Sequence, residues 1–170
     1  MGVYSRVKDG TTEYALVNKG SDSWGDAAED IQQPAGWSSD MFDSISKSEY
    51  FVVNHKDSEI TMVGHSKGGA EAIANAVKNN KNAITFNPAI PSLRYYVSGV
   101  EKYTANLTNY VVTDEILNNT FGEVKIGKTV YLKTQHKTKW WYSPAFNVLQ
   151  MIKNHKMDAV ISALKEEKYN

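Results

Sequence analysis

Ile60-Thr61-Met62-Val63 is a short apolar run that leads directly into Gly64-His65-Ser66-Lys67-Gly68-Gly69-Ala70. The run before the glycines has the length and branching of a buried strand. Ala70 to Lys78 reads as a helix. A chain that passes from strand to helix across Gly-x-Ser-x-Gly has few conformations open to it. The serine must sit at the tip of a sharp turn with a strained backbone. Side chains two residues away on either side would collide, so Gly64 and Gly68 relieve the crowding. Such a turn also aims the Lys67 N–H, at the start of the helix, toward negative charge forming on a substrate oxygen. The expectation is a nucleophile elbow with Ser66 as nucleophile.

The elements around this turn suggest a sheet covered by helices. Val3–Val7 and Tyr14–Asn18 alternate on either side of Lys8-Asp9-Gly10-Thr11, as in a hairpin. Asp26–Gln32 looks helical, and Pro34-Ala35-Gly36 stops it. Ser38 or Ser39 then caps a helix to about Val53. Strands are expected at 82–86, 107–112 and 129–132. A helix is expected from Ser143-Pro144 toward Ile152, and another over 157–168. Strands alternating with helices predict an α/β fold: an α/β-hydrolase-like, mixed or mostly parallel sheet with helices on both faces. Active sites of such sheets lie at the carboxyl ends of the strands.

Composition excludes several functions. The chain has 170 residues, enough for one domain spanning 1–170. Its strand-like start also suits the catalytic part of a larger protein. Basic and acidic residues both number 19, so overall charge gives no case for nucleic acid or for attraction to an anionic membrane. With no cysteine there is no disulfide framework, thiolate nucleophile or cysteine-based zinc site. No apolar run reaches the length of a membrane span, and the first residues lack a signal-like apolar core. This leaves a cytoplasmic location or export by a route outside this chain.

A serine hydroxyl needs a base, and the base needs an orienting carboxylate. In α/β-hydrolases the order along the chain is nucleophile, acid, histidine. His55 precedes Ser66, and His65 points away from the nucleophile, which leaves His136 and His155. His155 is preferred, because Lys153–Asp158 forms a polar break before the last helix. Glu101, Asp114, Glu115, Glu123 and Asp158 are candidate acids. Asp114 is preferred because it follows the strand ending at Val112. Glu115 should point elsewhere if the backbone stays extended. Gly20-Ser21, after the second strand, is placed to give a second oxyanion donor beside Lys67.

Together these segments resemble the class 3 lipases and related bacterial lipase-like domains. The elbow matches I-x-x-x-G-H-S-x-G-G-A, and Thr85-Phe86-Asn87-Pro88-Ala89 is similar to a T-F-N/G-x-P segment. Gly20-Ser21 followed by Asp26 and Asp30 resembles the oxyanion loop and its helix, with Trp24 displaced to the other side of Asp26. Asn109–Asp114 and Asn154–Asp158 resemble the segments that carry the acid and the histidine. The resemblance implies a serine esterase acting on lipid acyl esters, of lipase or phospholipase A type. Ser66, Asp114 and His155 would be its triad, Ser21 and Lys67 its oxyanion donors, and it would need no metal or cofactor. An effector or phage-encoded role suits the lack of a signal. A small-ester or thioester hydrolase, and an inactive lipase-fold binding module, are the competing readings. Trp37, Phe42, Trp140, Trp141 and Tyr142 flank the catalytic segments and suit a lipid-binding rim with transient membrane contact.

Overall fold

A computed structural model describes residues 1–20, 34–89, 93–121 and 125–168. Six strands form one sheet in sequence order: β1 (Gly2–Lys8), β2 (Thr11–Asn18), β3 (Glu59–His65), β4 (Asn82–Phe86), β5 (Leu107–Val112) and β6 (Lys128–Leu132). β1 and β2 are antiparallel, and every later pairing is parallel. The sheet is therefore mixed and mostly parallel, as expected. Asp9 and Gly10, with φ of 49° and 79°, make the two-residue turn that joins β1 to β2.

Helices follow the strands: α1 (Pro34–Asn54), α2 (Lys67–Asn79), α3 (Leu93–Tyr96), α4 (Ile116–Phe121), α5 (Pro144–His155) and α6 (Met157–Lys168). The expected helix over 26–32 lies outside the described residues. Pro34 opens α1, ahead of the cap expected at Ser38 or Ser39, because proline is preset for a first helical position. The short helices α3 and α4 were not expected. Four to six residues give too little periodicity to recognise.

Alternation along the strands divides the core in two. Leu16, Ile60, Met62 and Ala83 point toward α2, whose Ala70, Ile73, Ala74 and Val77 are buried against them. Met41 and Ile45 of α1 complete this layer. On the opposite face Val112 and Leu132 meet Val160 and Ala163 of α6. The small residues of α2 let its backbone approach the sheet, and so its first turn approaches the end of β3.

Candidate active site

Ser66 sits between β3 and α2 with φ 57° and ψ −126°, a left-handed backbone that a non-glycine residue rarely adopts. Its surroundings explain the neighbouring glycines. A Cβ on Gly64 would lie 2.0 Å from the carbonyl oxygen of Gly68. One on Gly68 would lie 2.3 Å from the carbonyl oxygen of Asn18. Gly68 is therefore required less by Ser66 than by β2, which passes against the first turn of α2. Ser66 is further tied to β4: its N–H donates to the Phe86 oxygen, and its oxygen accepts from the Ala89 N–H at 3.0 Å.

The segment after β2 reaches this turn. A Cβ on Gly20 would lie 2.8 Å from the His65 oxygen and 3.4 Å from the Ser66 Cβ, so the Gly20 backbone runs beside the serine. Ser21 lies outside the described residues. Lys67 is the first residue of α2, and its ammonium pairs with Asp40 of α1.

His155 lies in the same region. Its imidazole is fully buried, and its Nδ1 is 2.5 Å from Glu115 Oε2. The carboxylate at this ring is that of Glu115, not Asp114. The cause is in the backbone. Val112–Glu115 closes a tight turn, with the Glu115 N–H donating to the Val112 oxygen and Asp114 at φ 63°. That left-handed residue breaks the alternation of an extended chain, so Glu115 turns inward and Asp114 stays half-buried. Glu115 also caps α4, accepting from the N–H groups of Leu117 and Asn118.

His155 is the last residue of α5, not part of a loop. The helix runs three residues beyond Ile152 because its inward face is polar: Gln150, Asn154 and His155 are its buried residues. Apolar periodicity cannot detect such a face. The expected start is observed, with the Ser143 hydroxyl accepting from the Phe146 N–H ahead of Pro144.

Three side chains hold the end of α5. Asn87 donates to the oxygens of Asn154 and His155, while its Oδ1 accepts from the Val112 N–H. Asn154 accepts from the N–H groups of Gln135 and His136 and donates to the His136 oxygen. His136, the alternative base, is half-buried and enters this network through its backbone. His65, which the sequence places beside Ser66 but directed away from it, reaches α5 instead. Its Nε2–H donates to the His155 oxygen at 2.7 Å, and the two rings are 4.9 Å apart. Burial, then the nearby His155, pushes the His65 imidazole down to about 4, so it stands neutral at pH 7. The G-H-S triplet carried the signal for His65, but only the fold shows what it touches.

A pocket of 350 Å³ opens beside these groups, lined by Val17, Val63, Phe86 and Met157 together with Gly20 and His65. A larger hollow of 460 Å³ lies on the sheet face over Ala15, Thr61 and Val63, and none of the candidate catalytic residues lines it. Among the described residues no three histidine, aspartate or glutamate side chains cluster to hold a metal ion. No described helix is long and apolar enough to cross a membrane. Phe42 is exposed and contacts Tyr95 and Tyr96. Trp140 and Trp141 are also exposed. The Trp37 side chain lies outside what the structure describes.

At the α1–α2 seam, burial pushes the Glu71 carboxyl up to about 7, opposed by Lys67 and helped by Asp40. A raised carboxylate pKa favours the folded state below the ordinary value of 4.5, and that stability is lost as pH rises through about 7. Glu71→Gln should therefore raise stability at pH 8 by on the order of 1 kcal/mol after solvent screening, and the melting temperature with it. It should change little at pH 4. Thermal melts at the two pH values check this, and an equal gain at both would contradict it.

A mostly parallel α/β sheet with a serine elbow at a strand's carboxyl end defines a hydrolase-like architecture. The chain matches the phospholipase-like family of Tle-like phospholipase domains over residues 2–138, and it belongs to that family. The match includes the elbow and Glu115 and ends before α5. No curated protein matches the chain.

Proposed function

We propose that the protein is a serine esterase that hydrolyses acyl esters of lipids, of phospholipase or lipase type. The observation that carries this reading is the strained Ser66 turn, with a buried Glu115–His155 pair anchored to its neighbours. Family membership supports the lipid side, and the class 3 lipase resemblance extends it. The apolar pocket beside Gly20 and His65 offers room for an acyl chain. An effector role accords with the family and adds nothing to the chemistry.

In this reading Ser66 Oγ attacks the ester carbonyl carbon, and His155 Nε2 takes its proton. Glu115, at Nδ1, fixes the ring's tautomer and stabilises the imidazolium that forms. The Lys67 N–H and the Gly20-Ser21 backbone receive the oxyanion. The imidazolium then protonates the leaving alcohol. Water, activated by the same base, releases the acid from the acyl-serine. Glu115 takes the role that the sequence suggested for Asp114.

The test is fluorophosphonate labelling, followed by hydrolysis of esters of increasing chain length and of phospholipid vesicles. The expected result is a single adduct on Ser66 and preferred cleavage of long-chain or phospholipid esters. Best cleavage of short soluble esters, with intact vesicles, would replace this reading with a small-ester hydrolase. Absence of any adduct would favour a binding module.

A further inference from the structure

Helix α5 is polar where it is buried and apolar where it is exposed. Its buried residues, Gln150, Asn154 and His155, lie in its second half, while Phe146, Val148 and Leu149 in its first two turns are 42–45% exposed. Trp140 and Trp141, just before it, are 90% and 61% exposed. The polar inner face is accounted for by the site it holds. The exposed apolar residues of its first two turns have no such account within the fold, and exposed apolar groups clustered beside two exposed tryptophans mark an interaction surface.

Charge identifies the occupant. The chain is neutral overall, yet residues 125–157 contain seven lysines and no aspartate or glutamate. Lys128, Lys133 and Lys137 are exposed. Lys139 Nζ stands 5.0 Å from the Trp141 ring centre and 5.5 Å from that of Tyr142, so cation and aromatics share one surface. Of the two helices that α5 packs against, α4 contributes no acidic residue, and the acids of α6 are Asp158, beyond the end of α5, and Glu166 and Glu167 in its last turn. Whole-chain neutrality therefore conceals a basic, aromatic segment.

We propose that the exposed first half of α5, with Trp140, Trp141 and Lys139, is a docking surface for an anionic lipid bilayer. Tryptophan and tyrosine suit the headgroup region, lysine pairs with lipid phosphate, and Phe146 and Leu149 enter the acyl boundary. A bilayer satisfies both the charge and the apolar face, whereas a polyanion alone leaves the apolar face wet. Phe146 and Leu149 stand about 14 Å and 9 Å along the helix from His155. The surface begins after residue 138, where the family match ends. This inference rests on the lipid-ester reading and adds the surface and its lipid charge.

The test uses full-length Ser66→Ala protein, so vesicles stay intact and binding is measured apart from hydrolysis. Sedimentation with phosphatidylcholine vesicles, and with vesicles containing 30% phosphatidylglycerol, should show binding mainly to the second, weakened by raised salt. Adding Trp140→Ala and Trp141→Ala should weaken binding at least tenfold. Adding Lys137→Gln and Lys139→Gln should weaken it about fivefold per lysine on the anionic vesicles only. All four added side chains are at least partly exposed, so the variants should melt with the Ser66→Ala parent; if the tryptophan pair does not, Leu149→Gln replaces it. No binding to either vesicle, or binding unchanged in the tryptophan variant, would overturn the proposal. A concentration-dependent dimer that Trp140→Ala and Trp141→Ala abolish, without vesicle binding, would overturn it in favour of self-association. Wild-type protein unlabelled by fluorophosphonate but binding anionic vesicles would overturn the esterase reading and leave the docking surface standing.

Discussion

Ser66→Ala should lower kcat for ester hydrolysis by about six orders of magnitude, to the limit of detection. Nucleophile and base act as one unit, so losing either removes the acyl-enzyme route entirely. The fold should persist. Ser66 is held by its backbone, through Phe86 and Ala89, and alanine accepts the same left-handed geometry at a similar cost. The melting temperature should stay within a few degrees of wild type. A variant that retained more than about a hundredth of the activity would remove Ser66 from the chemistry. So would a fluorophosphonate adduct on another serine.

Glu115→Gln should cost about 10³–10⁴ in kcat, with KM nearly unchanged. The amide keeps the size of the side chain but only one of the two oxygens that cap α4, and it no longer stabilises an imidazolium. Asp114→Asn should keep activity within about threefold, because the contact the structure gives Asp114 with α5 is through its backbone oxygen, which accepts from Asn154 at 3.4 Å. His155→Ala should fall as far as Ser66→Ala, whereas His136→Ala should leave most activity. Steady-state kinetics of the four variants on one soluble ester, with circular dichroism to confirm folding, decide the assignment. Loss of activity in Asp114→Asn with Glu115→Gln spared would restore the original choice of acid.

These paired carboxylates show where the sequence was readable. β4, β5 and α6 followed from apolar runs and caps, and the elbow from its glycines, because each signal is local. The choice between Asp114 and Glu115 was not local. It turned on one φ angle, at a residue type that tolerates the left-handed region without announcing it. The end of α5 was misplaced for a related reason. Asn154 and His155 are buried for their hydrogen bonds, and hydrophobic periodicity is silent about polar residues that face inward. Asn87 was visible only as part of a resemblance, although it ties β5 to the end of α5. The lysine cluster was present in the sequence from the start and was hidden by averaging charge over the whole chain.

The two halves of the proposed chemistry rest on unequal foundations. Among the described residues, Ser66 adjoins a buried apolar cluster of sixteen side chains from β2 to α4, whereas α6 docks through a cluster of four. The helix that carries His155 is held beside it chiefly by amide side chains. The smaller assembly should therefore loosen first and form last. A chain whose first five strands have already closed around Ser66 still lacks its proton acceptor. In the proposed chemistry, hydrolytic competence arrives only when this closing pair of helices settles, so a sheet already formed around Ser66 would hold a nucleophile without its base.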